Sequence, residues 1–197
     1  MKRNRSMVMF AALSAVLVSG IAARATSTPE TPKAQAARIE RGAYLVRHMG
    51  CNDCHTPWKV GPRGPEPDMS RALTGHPEQM QMPPAPQLPP GPWLWTAAAT
   101  NTAFAGPWGV SFTANLTPDN ETGLGSWTEE MFIATMRTGR HQGKGRALLP
   151  PMPYPIIGAL TDSDIKDLFA YLQSLKPVHN RVPAPIDPPE APAAQTN

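Results

Sequence analysis

Cysteine is scarce in this chain: among 197 residues, only Cys51 and Cys54 carry a thiol. A small exported domain held together by disulfides needs four or more cysteines, so that class is excluded. A structural zinc site needs four ligands at suitable spacing, whereas this chain has no second cysteine pair and its other histidines are scattered singly. The two cysteines must therefore serve another purpose.

A surplus of positive charge is also missing once the N-terminus is considered. The 18 basic and 15 acidic residues give +3, but residues 1–25 hold four of the basic residues and no acidic one. This segment has the uncharged stretch 7–23, short for a membrane span, and the cleavage pattern Ala23-Arg24-Ala25. We predict a signal peptide over residues 1–25 and a periplasmic mature chain of charge −1, without nucleic-acid binding. Membrane contact then requires a partner or an uncleaved signal.

Proline, by contrast, is abundant, with 25 residues. Eleven lie within residues 57–92 and six within residues 177–197. Proline fixes φ and removes a backbone donor, which excludes long helices and central strands from both stretches. We predict a proline-rich insertion over about residues 58–106 and a disordered or extended tail over residues 179–197.

Three segments have helical patterns. The first runs from about Pro32 to Gly50, and the second from Trp127 to Thr138 after a capping box that begins at Ser126. The third runs from Asp162 to Leu175 and is capped by Thr161. Residues 108–116 alternate weakly, as in a short strand or an extended loop. So few helical residues would bury a thin core, which a large apolar cofactor would complete.

The two cysteines belong to the motif Cys51-Asn52-Asp53-Cys54-His55. A disulfide across two residues is strained and leaves His55 unexplained, and a redox dithiol is expected after a strand rather than after a helix. Two thiols at this spacing instead match the two vinyl groups on one edge of haem, and the following histidine reaches the iron. The motif predicts covalent haem c on Cys51 and Cys54, with His55 as the proximal iron ligand.

The second iron ligand has two candidates. Met152 lies in Leu-Leu-Pro-Pro-Met-Pro-Tyr-Pro, where the prolines limit backbone freedom and fix the thioether in place. We therefore predict Met152 as the distal ligand, and His141, in a glycine-rich basic loop, is its competitor. His141 lies within a run of basic residues: Arg137, Arg140, Lys144 and Arg146. Three roles are open for this run: contact with an acidic partner, neutralisation of the haem carboxylates, or a solvated helix end.

Residues 38–177 resemble class I c-type cytochromes. They are similar to the cytochrome subunits and haem domains that accept electrons from bacterial alcohol and gluconate-type dehydrogenases. The matching stretches are Arg-Gly-Ala-Tyr-Leu-Val-Arg-His-Met-Gly-Cys-Asn-Asp-Cys-His, Ala-Asn-Leu-Thr-Pro-Asp-Asn, Met-Arg-Thr-Gly-Arg, Leu-Pro-Pro-Met-Pro-Tyr-Pro and Leu-Thr-Asp-Ser-Asp-Ile. The resemblance implies an all-α, cytochrome c-like domain over residues 38–178, preceded by a linker over residues 26–37. In it, about three main helices surround one haem.

The resemblance also implies roles for individual residues, and the chain departs from the family pattern in two ways. It implies that the first and last helices cross, with Gly42 near Phe169 or Tyr171. It gives Cys51 and Cys54 the thioether bonds, and His55 and Met152 the iron. Related subunits usually have three haem motifs, and this chain has one. The long insertion, with Trp93-Leu94-Trp95, either walls the haem or forms a partner surface, and we expect it to cover the cofactor.

The expected function is one-electron transfer rather than catalysis, because an iron with both axial ligands has no open position for a substrate. The expected partner is a redox protein: a dehydrogenase, an oxidase or another cytochrome. Two alternatives remain. One is a haem enzyme or gas sensor whose Met152 is displaceable, and the other is a structural subunit that holds haem for a larger dehydrogenase.

Overall fold

Three longer helices and two short ones form the helical part of the chain. The computed structural model describes residues 30–188, so the predicted signal peptide and residues 189–197 of the predicted tail lie outside the described part. The helices are α1 (Pro32–His48), α2 (Cys51–His55), α3 (Glu129–Thr138), α4 (Tyr154–Gly158) and α5 (Asp162–Ser174).

The helix ends follow the sequence signals, with one exception. Thr31 caps α1 and Thr161 caps α5, each through its side-chain oxygen, and the cap at Thr161 confirms the prediction. α3 begins later than expected, because Thr128 rather than Ser126 provides its cap. Gly139 ends α3 in the left-handed conformation, which glycine adopts without a steric penalty.

Two small antiparallel sheets show that the all-α prediction was wrong. The first pairs β1 (Trp58–Gly61) with β2 (Gly64–Pro67). The second has the order β3–β4–β5, formed by Thr96–Ala97, Ala103–Gly106 and Gly109–Phe112. Most of the strand content therefore lies in the proline-rich insertion.

The physical reason for the error is that proline excludes less than we assumed. It prevents long helices and central strands, but a two-stranded hairpin has only edge strands, and β2 accommodates Pro65 and Pro67. The two tight turns have glycine at both ends, as the pairs Gly61 with Gly64 and Gly106 with Gly109 show. The predicted strand or loop at residues 108–116 is β5 followed by a loop.

Helices α1 and α5 cross in close contact at Gly42. A Cβ atom added there would collide with the backbone carbonyl of Asp167 and lie 2.7 Å from Cβ of Tyr171. The predicted close approach at Tyr171 is therefore confirmed. Ion pairs flank the crossing, since Arg38 Nε lies 3.0 Å from Asp167 Oδ1 and Arg41 Nη2 lies 2.8 Å from Asp164 Oδ1.

Part of the predicted tail packs against the domain. Asn180 is buried, and its Nδ2 donates to the carbonyls of Thr74 at 2.7 Å and His76 at 2.8 Å. Ile186 forms an antiparallel bridge with Val110, at the edge of β5. Residues 179–188 thus follow an extended path that is anchored by one buried amide and one strand contact.

The hydrophobic core lies among α1, α3 and α5. The rings of Phe132 and Phe169 are 5.3 Å apart and join α3 to α5. Within residues 30–188, no helix is long and apolar enough to span a membrane. The buried core comprises Leu45, Val46, Leu73, Leu124, Phe132, Met136, Ile157, Ile165, Leu168, Phe169 and Leu172.

Candidate functional site

A single cavity collects the four predicted site residues. Cys51, Cys54, His55 and Met152 all line it, and its volume is about 260 Å³. Most of the remaining lining is apolar, and seven of its side chains belong to the buried core: Val46, Leu124, Phe132, Met136, Ile157, Leu168 and Leu172. The cavity therefore lies inside the helical core, and its walls are the side chains that the helices bury.

Helix α2 places both thiols at the cavity. It begins after Gly50, whose positive φ of 70° allows the chain to turn between α1 and α2. Cys51 and Cys54 are three residues apart on this helix, so they lie on one side of it. Neither is in a disulfide.

The two thiols are not activated as nucleophiles. Burial raises the pKa of the Cys51 thiol to about 11 and also raises the pKa of Cys54. A redox dithiol requires a lowered thiol pKa, because the thiolate is the reactive form. The surroundings thus disfavour the redox-dithiol interpretation of the motif.

His55 presents one ring nitrogen to the cavity in a defined tautomer. The side chain is only 8% exposed, and its Nδ1 lies 2.8 Å from the carbonyl oxygen of Ala114. Since a carbonyl only accepts, Nδ1 carries the proton and Nε2 keeps its lone pair. Nε2 has no hydrogen-bond partner among the described residues, and burial lowers the pKa of the ring, which favours the neutral form. A histidine bound to metal through one nitrogen commonly donates from the other in this way.

A short backbone scaffold holds His55 in place. Gly75 N donates to the carbonyl of His55 at 2.8 Å, and His76 N donates to the carbonyl of Thr113 at 2.9 Å. Gly75 has a positive φ of 78°, and a Cβ atom there would lie 2.6 Å from the carbonyl oxygen of Ala114. Sequence reasoning missed both Gly75 and Ala114, because neither residue type signals a site by itself.

Met152 reaches the same cavity from the segment before α4 and packs against the core. Ser111 Oγ donates to the carbonyl of Pro150 at 2.7 Å, which ties this proline-rich segment to β5. His141, the competing ligand, also lines the cavity, and its ring lies 5.0 Å from that of Trp127. The structure therefore brings both candidates for the second ligand to one place.

The described residues offer no conventional metal cluster. Within residues 30–188, no group of three or more His, Cys, Asp or Glu side chains has the geometry to hold a metal ion. One imidazole and one thioether at an apolar cavity suit an iron whose other ligands come from a porphyrin.

Arg146 differs from the other members of the basic run. Arg137 pairs with Asp162, with Nη2 and Oδ1 2.6 Å apart, and Arg140 donates to the carbonyl of Gly145 at 3.1 Å. Arg146 is the only Asp, Glu, Lys or Arg among the described residues that line the cavity. Within residues 30–188, its guanidinium makes one hydrogen bond, to the carbonyl of the adjacent Ala147 at 3.3 Å. Burial lowers the pKa of His141, and the charge of Arg146 lowers it further.

Contrary to expectation, the insertion does not cover this cavity. Phe104 is the one residue of the range 58–106 that lines it. Trp93 and Leu94 point into solvent instead, with 77% and 62% of their surface exposed. The expectation that the tryptophans wall the cofactor was therefore wrong, because the core helices already supply the apolar wall.

The side chains at the cavity fit a covalently attached haem. They provide two thiols on one helix, an imidazole nitrogen with a free lone pair, a thioether, an apolar wall and one cation for the haem carboxylates. A zinc site or a redox dithiol would leave most of these features without a role.

Comparison with known proteins supports the interpretation of the cavity as a haem site. No protein-family model matches the chain. The chain is 30% identical over 176 residues to the cytochrome c subunit of quinone alcohol dehydrogenase from Gluconobacter oxydans, covering 89% of this chain and 28% of that relative. It is 29% identical over 180 residues to the fructose dehydrogenase cytochrome subunit of Gluconobacter japonicus, covering 90% and 30%. It is 28% identical over 139 residues to the gluconate 2-dehydrogenase cytochrome c subunit of Pantoea cypripedii, covering 71% and 23%.

The chain spans less than a third of the length of these relatives. The similarity nevertheless extends over most of this chain, and it confirms the resemblance to the cytochrome c subunits of dehydrogenases that the sequence motifs predicted.

Proposed function

We propose that this relative of the dehydrogenase cytochrome c subunits is a periplasmic one-electron carrier that holds one covalent haem c and receives electrons from a dehydrogenase. The observation that carries the proposal is the cavity itself. Cys51, Cys54, His55 and Met152 all line one mostly apolar cavity, and the hydrogen bond from His55 Nδ1 to Ala114 leaves the lone pair of Nε2 free.

The roles of the four residues follow from their chemistry. Cys51 and Cys54 would hold the haem through thioether bonds, and His55 Nε2 and the thioether of Met152 would bind its iron. The bound haem supplies a one-electron redox couple. The hydrogen bond from His55 Nδ1 to Ala114 orients the ring and increases its basicity as a ligand.

The same arrangement argues against substrate chemistry at the iron. If His55 and Met152 both bound the iron, no coordination position would remain for a substrate, and methionine ligation would raise the reduction potential relative to a second histidine. Both features would suit outer-sphere electron transfer. The mostly apolar lining would favour the less charged, reduced state.

Arg146 completes the proposed site. Haem has two carboxylates, and placing them at an apolar cavity is costly unless a cation or hydrogen-bond donors pair with them. Arg146 is the charged residue of the described lining, and its guanidinium has donors to spare. We assign it to one haem carboxylate.

Expression with a c-type haem attachment system and an optical spectrum test the proposal. We expect a six-coordinate, low-spin spectrum with the methionine–iron charge-transfer band at the red end of the oxidised form. Met152→Ala removes this band, and His141→Ala, the matched control at the same cavity, keeps it. A low-spin unmutated protein without the band, as ligation by His141 would give, overturns the Met152 assignment. High-spin iron in the unmutated protein favours the enzyme or gas-sensor alternative.

Covalent attachment has its own test. Denaturing electrophoresis followed by a haem stain detects haem that remains bound to the unmutated chain. Cys51→Ser and Cys54→Ser together remove the stain if the proposal holds. A stain that survives this double substitution, or an unmutated protein without haem, contradicts it.

A further inference from the structure

We propose that the groove beside Trp93 and Leu94 is the docking surface for the catalytic subunit of the dehydrogenase that reduces this protein. The inference rests on the proposed electron-transfer function and names the face of the molecule that meets the partner. Four features of the described residues support it: exposed large apolar side chains, a sequence segment without charge, an open groove, and a wall that the groove shares with the cavity.

The first feature is the exposure of large apolar side chains. Trp93 and Leu94 are mostly exposed, and Leu88 and Trp95 are partly exposed. Isolated apolar residues on a surface are ordinary, but these four lie within eight residues of one segment. Tryptophan in particular is enriched at the centres of protein–protein interfaces.

The second feature is the absence of charge. Between Glu78 and Asp119 the sequence contains no Asp, Glu, Lys or Arg, although charged residues make up 17% of the whole chain. Solvent-facing loops normally carry charge, whereas the buried core of a protein interface is depleted in it. The composition of this segment therefore matches a surface that a partner covers.

The third feature is the groove itself, an open space of about 870 Å³. Its lining comprises the proline-rich run 82–90, residues of β4 and β5, and Ile186 with Pro188. Asp187 is the one charged residue among the described residues that line it. This chemistry fits an apolar segment of a partner that places a single Lys or Arg near Asp187.

Phe104 connects the groove to the cavity, because it lines both. Its ring lies 5.6 Å from that of Trp95, in an edge-to-face arrangement. Electron tunnelling slows steeply with distance, and a partner seated in the groove would contact a residue that also lines the haem cavity.

A protein fits this surface better than a lipid bilayer does. Peripheral membrane binding combines apolar side chains with Lys or Arg that attract anionic headgroups, and the segment between Glu78 and Asp119 has neither basic residue. The relatives of this chain are named as subunits of dehydrogenases, so an apolar face of a dehydrogenase subunit is the occupant that we infer.

Site-specific photo-crosslinking in the native organism tests the docking surface. The haem-loaded protein carries benzoylphenylalanine in place of Trp93 or, as a matched control, in place of Val60, which is 87% exposed on β1 and outside the groove lining. We expect position 93 to crosslink to the catalytic subunit of a dehydrogenase, identified by mass spectrometry, and position 60 not to do so. Crosslinking from position 60 alone, or from neither position, overturns the inference.

A binding measurement with the dehydrogenase so identified gives the second test. Trp93→Ser combined with Leu94→Ser should weaken binding, and slow reduction of the haem, by about tenfold or more, as expected for residues at the centre of an interface. Val60→Ser should leave both unchanged. Trp95 is kept because it contacts Phe104. Unchanged binding by the double variant contradicts the inference.

The experiments distinguish a failure of the docking inference from a failure of the proposed function, and they also detect other occupants of the groove. A crosslink from position 93 to residues 189–197 of the same chain, or to a second copy, overturns the dehydrogenase assignment. A haem stain and optical spectrum of the same samples report on the electron-carrier proposal separately. Haem that is present and normal while position 93 finds no dehydrogenase means that the docking inference alone has failed.

Discussion

At the scale of single residues, the site depends on backbone atoms that the motif does not contain. The sequence motif supplies Cys51, Cys54 and His55, but the Ala114 carbonyl fixes the tautomer of His55. Gly75 makes this contact possible, since its positive φ and its missing Cβ let residues 113–114 approach. The position of the lone pair on Nε2 is thus a consequence of tertiary contacts between distant segments.

Gly75→Ala should impair the site more than an equivalent change elsewhere. The added Cβ would lie within 2.6 Å of the Ala114 carbonyl oxygen, so that carbonyl must move away from His55. We expect a loss of stability of about 1–3 kcal/mol from overpacking, in addition to the backbone strain, and a changed iron spectrum. Chemical denaturation and the optical spectrum of the haem-loaded protein measure the two effects.

Gly64→Ala is the matched control for this prediction. Gly64 also has a positive φ, of 115°, but a Cβ atom there meets no atom within 4 Å. Its substitution therefore reports the backbone strain without the collision. Equal losses of stability and unchanged spectra in both variants would show that the Gly75 contact does not position His55.

Arg146→Gln should lower the reduction potential of the bound haem. Removing a cation beside a haem carboxylate leaves negative charge uncompensated, which favours the oxidised iron. The shift should reach up to about 60 mV, which for one electron is a tenfold change in equilibrium constant. Lys144→Gln removes the same charge two residues away and outside the cavity lining, so spectroelectrochemistry should find a smaller shift there. A larger shift in Lys144→Gln would refute the assignment.

At the scale of secondary-structure elements, the crossing of α1 and α5 fixes the frame around the cavity. The backbone of Asp167 occupies the space where Gly42 would carry a side chain. Val46, one turn further along α1, and Leu168 on α5 both line the cavity. A change at the crossing therefore alters the distance between two cavity walls.

Gly42→Val should destabilise the protein by about 1–3 kcal/mol or more, since the added side chain forces the two helices apart. Ala37→Val is the control on the same helix, because Ala37 is exposed and only helix propensity changes there. Thermal unfolding of the haem-loaded proteins measures both. A loss no larger for Gly42→Val than for Ala37→Val would mean that the helices separate without cost.

The secondary-structure elements also differ in whether the sequence predicted them. The three main helices were predicted because amphipathic periodicity, threonine caps and a terminal glycine are local signals. Four of the five strands were missed because each has only two to four residues and several lie among prolines, whereas β5 falls in the segment 108–116 that was predicted as a short strand or an extended loop. Such short strands are stabilised by pairing with a partner strand rather than by their own sequence.

At the scale of the whole molecule, the core and the proposed cofactor site are one structure. Seven of the buried core residues also line the cavity, so a haem in that cavity would be part of the hydrophobic core. A ligand that binds only the folded chain stabilises it, and covalent attachment makes this contribution permanent. Without the haem, the same apolar side chains would face a water-accessible space.

The chain without haem should consequently be much less stable than the haem-loaded protein. Protein carrying Cys51→Ser and Cys54→Ser, expressed without haem attachment, should show reduced helical signal in circular dichroism and a lower midpoint of unfolding. The unmutated haem-loaded protein is the reference. A cooperative transition at the same midpoint in both would show that the core is complete without the cofactor.

The sequence by itself determined the chemistry that the site offers. Three patterns are properties of short segments and can be recognised without knowledge of the fold. They are the spacing of Cys51, Cys54 and His55, the prolines around Met152, and the helical periodicities. Only the tertiary structure decided which of these groups share a cavity and which nitrogen of His55 is free. It also decided that Arg146, rather than its basic neighbours, lines that cavity. It also decided that Trp93 and Leu94 face solvent. These outcomes depend on contacts between residues far apart in the chain, which no local pattern encodes.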